Sequence, residues 1–373
     1  MTPPGSRSPT RVAAQRHEAW HLMAAYGLPA LGVALFAGFS AALPDTFPTH
    51  ANLSAIVSNN GVSALLALGA MIPIVLGKFD LSIGFALGFA HVVALELIVQ
   101  EGWPWQAAGL VVVLLGGVVG LANGLLAEFA HIDSFIATLG TGSVLYALTG
   151  WITGGARIVP SPTGLPQGFI ALYDATWLGL PVPGWYVLAL TALLWTMLER
   201  LPLGRYMYVI GSNPRAARLL GIPTRRYGIY AFVGAGLVAG FAGVLLAAQQ
   251  QLGNPTIGMD YLLPAFVGAL LGSTTVKPGR PNALGTLFAV AILAEGLAGI
   301  GQLGAAFWAT PLFNGIILLI AVAIGGSVRR RRLRSGTRAE RAGSTGRGPG
   351  GRPTTTARAD RPAPSPPDAP NSG

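Results

Sequence analysis

The chain has 373 residues, of which 52% are hydrophobic and only 10% are charged, and it contains no cysteine. Soluble domains carry about a quarter charged residues, so this composition argues against soluble enzymes and nucleic-acid-binding domains, and the missing cysteines exclude disulfides, thiol catalysis and cysteine-based metal sites. The net charge of +10 does not indicate a nucleic-acid partner, because residues 22–326 hold 10 basic and 10 acidic side chains and the excess lies in the two tails.

Apolar segments of about 20 residues, the length that crosses a bilayer, follow one another through the chain. They predict an all-α, multi-pass membrane domain over residues 22–326, between a short N-terminal segment, 1–21, and a basic tail, 327–373. The tail is rich in Gly, Pro, Ser, Thr and Arg, so we expect it to be disordered. We place about ten transmembrane helices at 22–43, 54–77, 81–99, 106–128, 135–153, 184–199, 228–248, 261–276, 283–300 and 306–326.

Basic residues indicate the orientation of these spans, because Lys and Arg collect on the cytoplasmic side of membrane proteins. The loop between the sixth and seventh spans, 200–227, contains six arginines, and both tails are basic. Six spans before this loop and four after it place the loop and both termini in the cytoplasm. Arg157 is the one basic residue that this arrangement leaves outside.

Glycines recur at four-residue spacing in several predicted spans. This spacing lets membrane helices approach one another closely, so it predicts a compact bundle, but it does not identify a function. The series are Gly84–Gly88, Gly116–Gly120–Gly124, Gly236–Gly240 and Gly268–Gly272.

Polar side chains inside the predicted spans are candidates for a solute path. Asn59 and Asn60 interrupt the start of the second span, where they fit either a broken transporter helix or an interfacial helix start. Asn123 is costly to bury in lipid, so we expect it to face the interior of the bundle. A Ser or Thr at such a position usually bonds a carbonyl of its own helix or of a neighbouring helix. The further candidates are Ser63, Ser82, Thr138, Thr141 and Ser143.

Four acidic residues lie in or beside the predicted spans. Asp80 and Asp133 each precede an apolar run, which is typical of helix N-caps. Glu96 lies near the outer end of its span, whereas Glu295 lies deeper. An ionisable side chain inside a membrane is a functional candidate, so Glu295 joins the candidate path. It would also be the proton site of an alternative function, a proton-coupled secondary carrier for a small neutral solute.

The 200–227 loop contains the most distinctive short motif of the chain. Asn213 is a favoured N-cap, Pro214 suits the first helical position, and Gly221 suits the left-handed position after a helix. This spacing predicts a helix of about two turns from Pro214 to Leu220. From the spacing alone, the helix is either a docking element for a partner or an ordinary interfacial helix.

Four sequence blocks resemble the ABC importer permeases of the ribose/xylose (simple-sugar) type. They occur in the order of that family between about residues 50 and 326, and the longest one is similar to the family's coupling-helix segment. The blocks are GRYMYVIGSNPRAARLLGIPTRR from Gly204, FDLSIG from Phe79, GLANG from Gly120 followed by FIATLGT and TGG, and GSTT from Gly272 followed by Gly279-Arg280 and Gly285-Thr286.

The resemblance implies the membrane-spanning subunit of an importer for a pentose, a hexose or a related polyol. It implies a cobalamin-importer-like permease fold in the plasma (inner) membrane of a prokaryote, surrounded by lipid. The implied partners are an ATP-binding-cassette ATPase, an extracytoplasmic sugar-binding protein and a second permease half. It further implies that the ATPase contacts Gly211, Asn213, Pro214, Arg215, Ala217, Arg218 and Gly221.

The chain has no G-x-x-x-x-G-K-[ST] nucleotide-binding loop, and its only lysines are Lys78 and Lys277. We therefore expect this chain to bind no cofactor and to be no enzyme, with ATP and Mg²⁺ used by the partner ATPase.

The chain also departs from the family pattern. Leu262 and Pro264 stand where the family usually has acidic residues, Lys277 enters a glycine-rich turn, and Asp133 with Ser134 replaces a Pro-Pro pair. These departures leave the solute open among sugars, polyols, sugar acids, nucleosides and, within the broader superfamily, amino acids. They also leave open whether the second permease half is identical to this chain.

Overall fold

The computed structural model describes residues 27–162, 164–306 and 308–319, and this part of the chain is almost entirely helical. Each of the ten predicted spans overlaps a helix. The predicted segments 1–21 and 327–373 lie outside the described residues. The helices are α1 (Gly27–Ala42), α2 (His50–Val75), α3 (Ile83–Leu95), α4 (Trp105–Glu128), α5 (Ser134–Thr153), α6 (Gln167–Asp174), α7 (Val182–Glu199), α8 (Pro202–Ser212), α9 (Pro214–Leu219), α10 (Thr224–Gln250), α11 (Gly258–Gly272), α12 (Ala283–Gln302) and α13 (Ala309–Leu319).

Seven helices within the described ranges are long and apolar enough to cross a membrane, namely α2, α3 with the π-helical turn Glu96–Gln100 that extends it, α4, α5, α7, α10 and α12. Helices α1, α11 and α13 are apolar but shorter. Two short antiparallel strands, β1 (Thr176–Trp177) and β2 (Leu180–Pro181), lie between α6 and α7. The chain is therefore a helical multi-pass membrane protein.

Helix α2 is continuous through the polar run that interrupts its apolar pattern. It begins at His50, four residues before the predicted start, where the Thr49 side chain accepts a hydrogen bond from the Asn52 backbone N–H. Inside the helix, the Asn60 Nδ2 atom donates to the Ile56 carbonyl at 2.9 Å. This bond to its own helix keeps the asparagine compatible with an unbroken helix.

Of the two aspartates predicted to cap helices, only one does so. Asp133 caps α5, since its side chain accepts from the Phe135 N–H at 2.9 Å, which confirms that prediction. The prediction for Asp80 is wrong, because the residue that precedes α3 is Ser82. Asp80 instead accepts from the backbone N–H of Ser82 at 3.0 Å, which closes a turn before the helix begins.

The centre of the bundle is the antiparallel pair α4 and α10, whose backbones touch. A Cβ atom on Gly116 would lie 2.3 Å from the Gly236 carbonyl oxygen, and one on Gly236 would lie 2.1 Å from the Gly116 carbonyl oxygen. Neither position accommodates any side chain. The close approach predicted from glycine spacing is confirmed here, and again where Gly84 and Gly88 of α3 meet Gly258 of α11.

Contacts between the loops and turns that connect the helices show at which end of the bundle each of them lies. At the end that carries the 200–227 segment, which we call the basic end, Lys78 pairs with Glu128 at 2.8 Å and Lys277 pairs with Glu199. At the opposite end, Ile158 and Gly253 form a backbone bridge, and the Thr46 hydroxyl donates to the Gln302 side chain at 3.0 Å. This alternation agrees with the order of the predicted spans.

Helix α11 is displaced from the predicted eighth span, 261–276. It begins at Gly258, beside the first two turns of α3, so residues 251–257 run back into the bundle as irregular backbone. The Asn254 N–H donates to the Nε2 atom of His91 at 3.1 Å, within α3. Irregular backbone at membrane depth is stable only inside protein or beside a water-filled cavity. Residues 251–257 therefore indicate that the bundle provides such surroundings at this point.

Candidate functional site

The coupling segment consists of helices α8 and α9 and the residues up to Thr224. The Oδ1 atom of Asn213 accepts from the N–H groups of Arg215 and Ala216, both at 3.1 Å, and Gly221 has a φ of +74°. The short helix predicted from Pro214 is confirmed and ends one residue earlier, at Leu219. Helix α8 before it was not predicted, because its apolar residues are few and its arginines resemble a loop.

The predicted docking residues do not all point outward. Ala217 is fully buried, and a Cβ atom on Gly211 would lie 2.0 Å from the Val75 carbonyl oxygen at the end of α2. These two residues therefore hold the segment on the bundle. Leu219 is 90% exposed and Leu220 is 73% exposed at the tip of α9.

The tip of α9 is the part of the coupling segment that presents apolar surface. Arg215 and Arg218 are exposed beside the two leucines, and Asn213 and Pro214 are exposed at the start of the helix. The docking residues implied by the family resemblance do not include Leu219 and Leu220, although the sequence of the short helix already gives it apolar surface at these two positions. The signal that identifies them is their position, immediately before a glycine that ends a short helix.

Helix α8 is attached to the turn between α11 and α12. The Tyr208 hydroxyl donates to the Pro281 carbonyl at 2.8 Å, and the Arg280 guanidinium lies 3.4 Å from the centre of the Tyr208 ring. Burial, together with the negative charge of Glu199, raises the pKa of Tyr208 to about 12, so its hydroxyl stays protonated and remains a donor. Tyr208 therefore links α8 directly to this turn.

The α11–α12 turn is itself held by one asparagine. The Asn282 amide nitrogen lies 3.0 Å from the Arg280 carbonyl and 3.2 Å from the carbonyls of Gly272 and Thr275. Its oxygen accepts from the Gly285 N–H at 2.7 Å, which caps α12. These bonds tie both sides of the turn to one side chain.

Three predicted path residues meet in a buried cluster with Asp80. The Asp80 carboxylate accepts from the Ser82 hydroxyl at 2.6 Å, and the Asn123 amide donates to that hydroxyl at 2.7 Å. The Thr138 hydroxyl accepts from the Leu81 N–H at 2.9 Å. Burial raises the pKa of Asp80 to about 6, although its hydrogen bonds from Ser82 act in the opposite direction. These bonds join α3, α4 and α5.

Two further hydroxyl candidates bond within α5. Thr141 donates to the Ala137 carbonyl at 3.0 Å, and Ser143 donates to the Leu139 carbonyl at 3.1 Å. This is the ordinary arrangement of such residues in a membrane helix.

Asn59 and Asn60 line cavities, unlike the cluster residues. One cavity of about 370 Å³ includes Asn60 and Ser63, and another of about 390 Å³ includes both asparagines. Glu295 is not among the residues that line either cavity. A Cβ atom on Gly32 of α1 would lie 3.9 Å from its Oε2 atom, and its Oε1 atom is buried without a partner among the described residues. The structure therefore does not place Glu295 with the asparagines.

Among the described residues, no group of three or more His, Asp or Glu side chains is placed to hold a metal ion.

Comparison with known proteins adds a family and several relatives. Residues 52–322 match the family described as branched-chain amino acid transport system / permease component. The chain is similar to the ribose import permease protein of Bacillus subtilis (strain 168), with 31% identity over 79% of this chain and 91% of the relative. It is also similar to the L-arabinose ABC transporter permease protein of Azospirillum brasilense, with 30% identity over 86% of this chain and 93% of the relative.

A third relative is the D-allose transport system permease protein of Escherichia coli (strain K12), with 30% identity over 73% of this chain and 80% of the relative. No solved structure matches the chain.

Proposed function

The chain belongs to the family of branched-chain amino acid transport system permease components, and we propose on this premise that it is the membrane-spanning subunit of an ATP-binding-cassette importer for a simple sugar. Relatives that are about as long as the membrane domain carry names for ribose, arabinose and allose transport. As a permease component, the chain is a transport subunit and not an enzyme. The structural observation that carries the proposal is helix α9, whose apolar tip projects from the basic end.

We infer that each subunit crosses the membrane ten times in a cobalamin-importer-like arrangement, with both termini in the cytoplasm of a prokaryote. The support is that each predicted span overlaps an apolar helix and that the connections of these helices alternate between two ends. The basic end then faces the cytoplasm, as the arginines of the 200–227 segment require.

Under this proposal the ATPase binds the tip of α9 at the basic end. Leu219 and Leu220 would enter an apolar groove of the ATPase, and Arg215 and Arg218 would lie at its rim. ATP and Mg²⁺ are used by the ATPase, and this chain binds no cofactor. A sugar-binding protein docks on the opposite end, and a second permease half, identical or not, completes the pathway.

The proposal is tested by purifying the tagged chain from its native membrane and identifying the bound proteins by mass spectrometry. We expect an ATP-binding-cassette ATPase and an extracytoplasmic solute-binding protein. Recovery of the chain alone, with solute uptake into reconstituted vesicles that follows the proton gradient and ignores ATP, would contradict it and support the carrier that uses Glu295.

The cargo is identified from the recovered binding protein. Its thermal unfolding is measured with D-ribose, D-xylose, L-arabinose, D-allose, xylitol, gluconate, adenosine and leucine. A sugar that raises the unfolding temperature supports the proposed cargo, because a ligand stabilises the state that binds it. Stabilisation by leucine or adenosine alone would replace the sugar by an amino acid or a nucleoside.

A further inference from the structure

Two of the cavities that Asn60 lines adjoin each other and are bounded mainly by helices α2, α11, α12 and α13, and we treat them as one chamber. They have volumes of about 370 and 390 Å³ and share Asn60, Ala294 and Leu297. Binding pockets for small molecules have volumes of about 300 to 1,000 Å³. The solute chamber, as we call it, is therefore large enough for a monosaccharide.

The chamber presents hydrogen-bonding groups that the protein does not use. The Asn60 amide nitrogen is bonded to its own helix, and its oxygen accepts no hydrogen bond from the described residues. The side chains of Ser63, Asp260, Tyr261 and Asn314 line the chamber and have no hydrogen-bond partner among the described residues. Asn314 is only 3% exposed. These groups line open volume, so a molecule that enters the chamber can supply their partners.

The charge of the chamber discriminates between solutes. Asp260 is the one charged side chain among the described residues that line it. The residue lies in the first turn of α11, where its negative charge already occupies the positive end of the helix dipole. The carboxylate of a sugar acid or an amino acid would meet this charge with no cation to offset it.

A neutral polyhydroxylated solute fits the same groups well. Its hydroxyls donate to the Asp260 carboxylate and to the amide oxygens of Asn60 and Asn314, and hydrogen bonds to a carboxylate are the stronger kind. Its C–H faces pack against the Tyr261 ring and against aliphatic side chains such as Leu293. Pockets with apolar walls and a few convergent polar groups are typical ligand sites.

The chamber reaches the end of the bundle opposite α9. Asn52 and Gln302 line it there, and the Gln302 amide donates to the Asn52 side chain at 2.6 Å. Under the proposed orientation this end faces the sugar-binding protein. A solute released by that protein would therefore reach Asn52 and Gln302 before Asn60 and Asp260.

We propose that the solute chamber binds the transported solute, and that it selects neutral sugars and polyols over sugar acids and amino acids. The inference rests on the proposed function, and it adds the residues that contact the cargo.

The missing cysteines make the chamber directly testable, because one substitution creates one thiol. Ser63→Cys and Thr310→Cys each place a thiol in the chamber. The complete transporter in right-side-out vesicles without ATP is treated with a membrane-impermeant methanethiosulfonate reagent. D-ribose, D-xylose, L-arabinose, D-allose, xylitol, gluconate or leucine is added at equal osmolarity.

We expect both thiols to react, and we expect at least one sugar or polyol to slow the reaction. A solute at twice its Kd leaves a third of the sites free, which slows labelling about threefold. Gluconate and leucine should leave the rates unchanged. Thr176→Cys, exposed in β1, should react at a rate that no solute alters, and Ala247→Cys, buried in α10, should not react.

Two results would overturn the chamber as a solute site. In one, neither chamber thiol reacts while Thr176→Cys does. In the other, both react but none of the sugars or polyols slows them. Protection by gluconate or leucine instead of the neutral solutes would overturn the selectivity.

A second measurement uses the carboxylate itself. Asp260→Asn keeps the size of the side chain and removes its charge, so sugar uptake (as kcat/KM) should fall about tenfold, the amount expected for one charged hydrogen bond. Asp174→Asn, an exposed carboxylate in α6 at the same end, is the matched control and should leave uptake unchanged.

These outcomes separate the chamber from the function. If the transporter imports a sugar with its ATPase while both chamber thiols are unprotected and Asp260→Asn is fully active, the chamber proposal fails and the importer stands. If no ATPase binds the chain, the importer fails, whereas protection of Ser63→Cys by a sugar would still support the chamber.

Discussion

At the scale of single residues, two asparagines in apolar helices have opposite surroundings. Asn123 is fully buried and donates to the Ser82 hydroxyl, in a cluster that joins three helices. Asn60 bonds its own helix and lines the chamber. Both are polar positions in apolar runs, so the sequence predicts the same role for both. The difference arises from Ser82, which is 41 residues away from Asn123 and reaches it only through the fold.

The cluster is expected to stabilise the protein without contacting the solute. Ser82→Ala removes the hydroxyl that joins Asp80 to Asn123 and leaves both buried side chains short of a partner, so the free energy of unfolding should fall by about 1 to 3 kcal/mol. Thermal unfolding of the purified subunit measures this, and the uptake per folded transporter should be unchanged. Ser143→Ala, whose hydroxyl bonds only its own helix, should leave the unfolding temperature within error.

If Ser82→Ala instead reduced the uptake by folded transporters while the unfolding temperature stayed the same, the cluster would belong to the solute path, as the sequence predicts for Ser82.

At the scale of helices, the sequence predicted best those features that a local pattern within a single helix determines. Hydrophobic length located the spans, the cap at Asn213 located α9, and the glycine series located the contact of α4 with α10. Prediction was poorest at α8, whose position depends on Val75 and Pro281, and at 251–257, whose irregular path depends on His91 and Ile158. Those partners are distant in sequence, so no local pattern reports them.

The α4–α10 contact is expected to tolerate no side chain. Gly236→Leu would place atoms on the Gly116 carbonyl, and overpacking of this kind costs about 1 to 3 kcal/mol or more because the backbones must separate. Thermal unfolding followed by tryptophan fluorescence should show a clear fall for this variant. Gly140→Leu on α5 is the matched control, since no atom lies within 4 Å of its added Cβ. Equal unfolding temperatures for the two variants would contradict the contact.

The tip of α9 is expected to bind the ATPase. Leu219→Asp places a charge on its most exposed apolar residue, so the ATPase recovered with the chain should fall by about tenfold or more, as for truncation of an interface hot spot. Insertion should be unaffected, because Leu219 contacts little of the bundle. Leu178→Asp makes the same substitution at an exposed leucine on the opposite end of the bundle, and this variant should retain the ATPase. Full recovery with Leu219→Asp would remove α9 from the interface.

At the scale of the whole molecule, the basic end is a set of turns fastened to one another. Helix α8 contacts the end of α2 through Gly211 and the α11–α12 turn through Tyr208. Helix α11 in turn supplies Asp260 and Tyr261 to the chamber. If the ATPase binds α9 as proposed, these contacts connect its docking site to the helix that lines the proposed solute site.

The link between α8 and the α11–α12 turn is expected to matter for coupling and not for assembly. Arg280→Ala removes the guanidinium from the Tyr208 ring, so the ATPase should still bind while sugar uptake per ATP hydrolysed falls by several-fold. Simultaneous measurement of uptake and ATP hydrolysis in proteoliposomes tests this. Arg200→Ala, which removes a guanidinium from Trp195 of the preceding helix α7, should leave the ratio unchanged, and an equal change in both variants would refute the link.

The shortness of α11 has a consequence for how the chain is made. A helix of 15 residues is about 22 Å long, well under the roughly 30 Å of a bilayer core, and this one also contains Pro264 and Asp260. It cannot enter lipid by itself with the irregular backbone of 251–257 unpaired. During synthesis it therefore depends on the helices that pack against it, α2, α3 and α12, so we expect it to enter the membrane together with α12, and the solute chamber is complete only when α13 follows.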